Sequence, residues 1–211
     1  MKHITATDIE QMDKIYRLNL INSCTGYKSA NLIGTQSKDG ITNLAIFNSF
    51  VHLGSNPLLI GFILRPLTVP RHTYTNFKTT KYFTVNHVTT AMIEDAHHTA
   101  ASYPEDISEF TKTSLTEEYL DDFHAPFVKE SPLKLGCQYK NEYLVKENGT
   151  LLIVAAIEHI YYEEAMQWED GWLQLDKANI VTANGLDGYA ATQLVKRYQY
   201  ARPGQATKAF E

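Results

Sequence analysis

The dipeptide Asn148-Gly149 sits between "PLKLGCQYKNEYLVKE" and "TLLIVAAIEHIYY", two long β-rich runs. Asn-Gly tolerates the positive φ angles of a tight reversal, so it is the strongest hairpin signal in the chain and commits its second half to antiparallel pairing. Asn148-Gly149-Thr150 also matches a glycosylation sequon, but nothing in the sequence indicates secretion, and the turn reading takes precedence. Upstream, "YKSANLIGTQ" and "ITNLAIFNSF" flank "SKDG", whose Asp39-Gly40 pair predicts a second hairpin. "PLLIGFIL" is continuously apolar, as suits a strand covered on both faces in the middle of a sheet or barrel.

From Thr73 the pattern turns helical over "TYTNFKTT", with Thr73 as the expected N-cap, and returns to strand in "KYFTVNHV". "TAMIEDAHHTAASY" and the acidic "EDISEFTKTSLTEEYLDDF" predict a helical insertion over about 89–125, where a lid or dimer arm would lie. The segment 172–202 reads as mixed and partly helical, and 203–211 as a weakly structured tail. About six antiparallel strands with few helices predict one mainly β domain over 1–211, a β-barrel with added helices rather than a parallel α/β fold.

Composition narrows the function classes. The chain has 211 residues, 44% hydrophobic content and a formal charge of −5. Nine carboxylates between Glu94 and Asp122 face the single Lys112, which predicts a solvated acidic helical face and argues against nucleic acid as partner. The N-terminus carries charges where a secretory signal needs an apolar core, and no run approaches membrane-spanning length, so a cytoplasmic address is expected, with no membrane partner. Cys24 and Cys137 lie far apart in unrelated contexts and are both expected as buried thiols. No G-x-G-x-x-G or G-x-x-x-x-G-K-[ST] loop is present. His87, His97, His98 and His124 lack metal-ligand spacing, and Ser49 and Ser55 lack a nucleophile elbow.

One constellation carries chemistry. "RPLTVPRHT" places Arg65 at a strand end, Arg71 just before a helix, and Thr68 and Thr73 as hydroxyls beside that helix N-terminus. Guanidinium groups, hydroxyls and free backbone N–H groups converging at one point are what a phosphate requires. Pro66 and Pro70 stiffen the turn. Surface arginines around an ordinary strand-to-helix turn remain the alternative.

In the order "FNSF", "HLGSNP", "LLIGFILRP", "PRHTYTNF" and "YFTVNHV", continued by "AHHTAASYPEDISEF", "APFVKES", "NGTLLIVAAIEHIYY", "GLDGY" and "YARP", the chain resembles the flavin reductase-like family in its flavoredoxin-like branch. The resemblance covers about 29–203 and implies an FMN-binding split barrel with antiparallel Greek-key connections. It implies that Asn48, Ser49 and Phe50 line the ribityl and ring region, and that Arg65, Arg71 and Thr73 hold the phosphate. Asn31 to Thr35 would border the ring, and His97, Thr99 and Ser102 would reach the flavin or a nicotinamide from the other side; for His97 and His98, a role as ordinary helix residues stays open. The chain departs from the family pattern at Asn48-Ser49, at Leu58, and at "ISEF", where another branch carries Gly-Asp-Arg-Phe.

The activity implied is hydride transfer from NAD(P)H to flavin and on to an acceptor, a protein or a small molecule, with no dedicated acid or base and no metal. An FMN-binding electron carrier without its own NAD(P)H oxidation is the second reading, and a related oxidase or cofactor-free domain the third. The resemblance also implies a homodimer.

Overall fold

The structure, a computed structural model, describes residues 1–210. Its strands are β1 (Lys28–Ser29), β2 (Asn31–Gln36), β3 (Thr42–Phe47), β4 (Phe50–Ser55), β5 (Leu58–Leu64), β6 (Tyr82–His87), β7 (Glu117–Glu118), β8 (Phe127–Val128), β9 (Leu133–Val145), β10 (Thr150–Tyr162), β11 (Val181–Asn184) and β12 (Gly188–Ala191). The α-helices are α1 (Ala6–Gln11), α2 (Lys14–Cys24), α3 (His72–Thr80) and α4 (Ile93–His98).

Seven strands form one antiparallel sheet in the order β3-β2-β6-β9-β10-β5-β4. Its edges are β3 and β4, which are successive in the chain and joined only through Asn48 and Ser49. Seven flat strands would hold their edges about 29 Å apart at the usual spacing of about 4.8 Å. The link from Phe47 to Phe50 reaches at most roughly 11 Å. The sheet therefore curls until its edges approach, and no ladder joins β3 to β4 among the described residues. The result is a split barrel.

Alternate residues point into the barrel. Ile33, Ile60, Phe62, Leu64, Phe77, Phe83, Val85, Cys137, Ile153 and Ala155 form its core. Phe62 is fully buried, with the rings of Phe47, Phe50, Phe77 and Phe83 at centroid distances of 4.9 to 6.1 Å. Helix α3 closes one end. Phe77 stacks on Tyr139 at 5.6 Å, Asn76 Nδ2 donates to Thr35 Oγ1 at 3.1 Å, and Lys78 Nζ donates to Tyr139 Oη at 2.9 Å and Glu142 Oε1 at 3.1 Å. The Tyr139 hydroxyl and the Glu142 carboxylate hold Lys78 protonated against the cost of its partial burial.

The β9–β10 hairpin forms where Asn148-Gly149 predicts it, with 13 residues in each strand. Thr150 pairs with Val145, so the loop takes residues 146–149, and only Gly149 adopts positive φ, at 71°. At the first hairpin Gln36 pairs with Thr42, and Gly40 alone takes the positive angle, at 85°.

Several expectations need correction. Two helices precede the first strand, where the sequence reading places none. Their start signals are local: Thr5 and Asp8 form a capping box, and Asp13 Oδ1 accepts from Ile15 N at 2.9 Å. Thr73 is not the N-cap of α3; Arg71 is. Cys137 is buried as expected, but Cys24 is exposed at the end of α2. The segment expected as partly helical over 172–202 carries a 3₁₀ turn, Leu175–Ala178, and then the β11–β12 hairpin.

The acidic insertion is not a solvated helical face. After α4 it contains a single 3₁₀ turn, Glu109–Lys112, and the short strand β7. Its Ser and Thr hydroxyls compete for backbone carbonyls, as when Thr111 donates to Ser108 O and Thr113 to Glu109 O. Glu94, Glu105, Asp106 and Asp122 do face water, but four other carboxylates fasten the loop to the barrel. Glu117 accepts from Thr42 at 2.6 Å, Asp121 accepts from Tyr161 at 2.7 Å, and Glu118 pairs with Lys134. Glu109 is 5% exposed and accepts the Leu44 N–H at 2.8 Å on the edge strand β3, where no neighbouring strand takes that proton.

Burial raises the Glu109 pKa above its ordinary 4.5, opposed in part by the Leu44 N–H. The folded state thus holds this proton more tightly than the unfolded state, so the associated stability is present below pH 4.5 and is lost as pH rises through the raised value. Glu109→Gln keeps an oxygen for Leu44 and cannot ionise. Urea denaturation across this range should show the wild type losing stability relative to the variant as pH rises from below 4.5 to neutrality.

Candidate functional site

Strand β5 leaves the core at Leu64 and puts Arg65 in solvent. Residues 66–70 then turn the chain so that Arg71 caps α3 with its backbone and contributes no side-chain capping bond. The first intrahelical bond runs from Thr75 N to Arg71 O at 3.0 Å, and no side chain caps the turn before it. The nine-residue helix therefore presents first-turn N–H groups and the positive end of its dipole without a built-in acceptor.

Beside that turn the Nε atom of Arg71 is buried without a hydrogen-bond partner. Ion pairs among the described residues involve Lys78, Lys134 and Arg197, so neither Arg65 nor Arg71 is neutralised by a carboxylate. Thr73 is 6% exposed and accepts from Asn43 Nδ2 at 3.0 Å, leaving its own O–H free to donate. A buried guanidinium N–H with no acceptor, a hydroxyl donor and an uncapped helix N-terminus form one donor set. It fits a phosphate oxygen.

The Asn48-Ser49 corner is tied down on both sides. Asn48 Nδ2 donates to Gly185 O at 2.8 Å in the β11–β12 turn. Ser49 Oγ donates to Ile63 O at 3.0 Å and accepts from Ile63 N at 3.1 Å, which adds a side-chain rung between the corner and β5. Phe50 turns inward, its ring 4.9 Å from that of Phe62.

The remaining candidates are spread more widely. Asn31 and Thr35 share the inner face of β2, with Thr35 under α3 and Asn31 at the far end of the barrel. His97 is exposed, its Nδ1 3.0 Å from the Tyr189 hydroxyl on β12. Thr99 is buried and donates to Ala96 O at 2.8 Å, a local bond that accounts for the side chain without a ligand. Ser102 is exposed just beyond α4.

The structure thus assembles Arg71 and Thr73 at one helix end and Asn48 and Ser49 at one corner. It links His97 to that corner only through the β11–β12 hairpin, which holds Asn48 by Gly185 and His97 by Tyr189. The hairpin's role is missing from the residue list that the sequence supports. The turn residues of "NGLDGY" were its visible signal. Alternation along "YFTVNH" puts His87 on the inward face with Phe83 and Val85.

The sequence profile of the flavin reductase like domain matches residues 27–173. The chain belongs to that family. Among solved structures, a split barrel domain protein from Shewanella frigidimarina NCIMB 400, assigned as a flavin reductase, is 42% identical with a TM-score of 0.92, covering 95% of this chain and 100% of its own. Nitrilotriacetate monooxygenase component B from Bacillus cereus is 18% identical with a TM-score of 0.79 over 96% of this chain and 98% of its own. Flavoredoxin of Desulfovibrio vulgaris (Miyazaki F) is 20% identical with a TM-score of 0.69 over 85% and 92%. For these last two the likeness is one of fold. An uncharacterized protein of Aquifex aeolicus is 33% identical over 108 residues, 50% of this chain and 55% of that relative, so the match spans about half the relative's length. Another, from Methanothermobacter thermautotrophicus, is 30% identical over 152 residues, 70% of this chain and 69% of its own.

Within this flavin reductase-like barrel, Ser49 is a test of the corner. Ser49→Ala removes one donor and one acceptor from the rung to Ile63. Urea denaturation should show a loss of about 1–2 kcal/mol, the usual size for two partly exposed hydrogen bonds.

Proposed function

We propose that the chain binds FMN and acts as a flavin reductase-like oxidoreductase, taking hydride from NAD(P)H and passing electrons to an acceptor, a protein or a small molecule. The observation that carries this reading is the buried, unpartnered Nε of Arg71 at the uncapped start of α3. In a protein of formal charge −5, an unpaired guanidinium beside free N–H groups calls for an anion. Family membership supports a flavin phosphate as that anion.

On this reading Arg71, Arg65 and the Thr73 hydroxyl hold the phosphate. Asn48, Ser49 and Phe50 border the ribityl and ring region, and His97 approaches from the β11–β12 side. FMN when bound supplies the redox chemistry, while the chain binds it, orients it and excludes water. No side chain is assigned as an acid or base.

The same reading makes the protein a cytoplasmic homodimer. Two free cysteines suit a reducing compartment. The edge strand β4 exposes Val51 and Leu53, an apolar edge of the kind that a second copy covers.

The test is a visible absorption titration of the purified protein with FMN, followed by anaerobic NADH and NADPH. FMN binding with bleaching is the expected result. Bound flavin that stays oxidised would leave the electron-carrier reading, and no binding would overturn both. Arg71→Ala should weaken FMN binding about 10- to 100-fold, since a charge-assisted phosphate contact contributes about 1.5–3 kcal/mol. Unchanged affinity would remove Arg71 from the site.

A further inference from the structure

Helix α2 buries no residue, so it lies against the barrel without joining the core. Between it and the β11–β12 turn is a pocket of about 510 Å³, the size of a small-ligand site. One wall is a single face of α2, formed by Tyr16, Asn19, Leu20 and Ser23 at i, i+3, i+4 and i+7. The other is the turn itself, Asn184 to Asp187. Both walls fall outside residues 27–173, where the flavin reductase like domain matches, and no lining residue belongs to the proposed flavin set. The turn meets that set only where Gly185 O accepts from Asn48.

Acceptors dominate the polar lining. Ser23 Oγ turns its one proton to the helix, 2.7 Å from Asn19 O and 3.2 Å from Leu20 O, which leaves its lone pairs unclaimed. Asn184 Oδ1 is buried without a partner. Asp187 is exposed and belongs to none of the ion pairs among the described residues. Gly185 leaves a gap among these groups: a Cβ there would stand 3.8 Å from Ser23 Cβ and 4.0 Å from Asp187 Oδ1 and meet nothing nearer. The Tyr16 hydroxyl and the Asn19 amide can each donate or accept, so neither opposes the balance.

No lysine, arginine or histidine lines the pocket. The cations of the adjoining elements are bonded or placed elsewhere. Lys28 Nζ donates to Asn22 O at 3.0 Å and Gly26 O at 3.1 Å, Arg17 Nη1 donates to Glu10 O at 3.1 Å, and Lys14 is at the far end of α2. The Asp187 charge therefore favours a cation and repels an anion. A bare metal ion would leave most of the volume empty, whereas Leu20, Leu186 and the Tyr16 ring offer apolar surface to a hydrocarbon.

We propose that this pocket binds a primary ammonium carried on a short hydrocarbon chain. Such a group has three N–H donors. They go to the Asp187 carboxylate, to Ser23 Oγ and to Asn184 Oδ1, the last turned into the gap about its soft amide torsion. The hydrocarbon lies along Leu20 and Leu186 beside the Tyr16 ring. The site does not rest on the flavin reading, and its ligand is of opposite charge to a phosphate.

The test uses the full chain and four probes: n-butylammonium, the neutral n-butanol, the anion butyrate, and tetramethylammonium, a cation with no N–H. Nitrogen-resolved NMR follows the Ser23 and Gly185 backbone amides and the Asn184 side-chain amide during each titration. Saturable shifts with n-butylammonium are expected, with the other three probes at least about tenfold weaker. Asp187→Asn, at an exposed position, should weaken n-butylammonium about tenfold or more, while Glu105→Gln, at an exposed position of the acidic loop, should not change it. Saturating FMN should leave the affinity unchanged. Absence of saturable shifts, equal binding of any other probe, or equal weakening by the two variants would each overturn the proposal, the last by showing attraction to the net negative charge alone. Loss of n-butylammonium binding in the presence of FMN would overturn it as well, by making the pocket part of the flavin site.

Discussion

The join through Asn48 and Ser49 is the constraint on which the rest of the molecule depends. It connects the two edges of a seven-stranded sheet with a link about a third as long as the flat sheet is wide. Curling brings Phe47 and Phe50, one on each edge strand, onto the same buried ring of Phe62. The side chains of the join then hold the closure, Ser49 to β5 and Asn48 to the β11–β12 turn. An open sheet would expose both edges; here β3 is covered by the acidic loop through Glu109 and Thr42, and β4 remains bare.

Both ends of the barrel derive their chemistry from this closure. At one end α3 must lie across the lumen so that Phe77 reaches Phe62 and Phe83, and that placement fixes where its uncapped N-terminus and Arg71 emerge. At the other end no helix covers the opening, so the last inward-facing residues of β2 and β6 are left beside a cavity. One end offers donors with no anion, and the other offers neutral polar atoms with no partner.

The acidic insertion shows how composition misleads when spacing is ignored. Its carboxylates are numerous enough to read as a solvated face, but the hydroxyl residues between them favour local turns over helix. Each turn brings a carboxylate back onto a barrel group: Leu44 N–H, the Thr42 hydroxyl, the Lys134 ammonium, the Tyr161 hydroxyl. The charge was legible, and its destination was not.

Alternation and turn dipeptides were enough to determine an antiparallel barrel, two of its hairpins and the position of α3, because each depends on a few neighbouring residues; the continuous apolar run of β5 misleads, since the strand lies next to the edge and exposes Leu58 and Ile63. The ordered motifs from "FNSF" to "YFTVNHV" likewise carried the family, since a shared order of local segments survives in one dimension. Tertiary structure alone decided that Asn48 meets Gly185 across 137 positions of chain, that Glu109 faces β3 rather than water, and that Asn31 and His87 lose their partners at the same opening. These are contacts between distant segments. They follow from how tightly the sheet curls and which inward residue falls at which end, quantities set by the packing of the whole core rather than by any stretch of sequence.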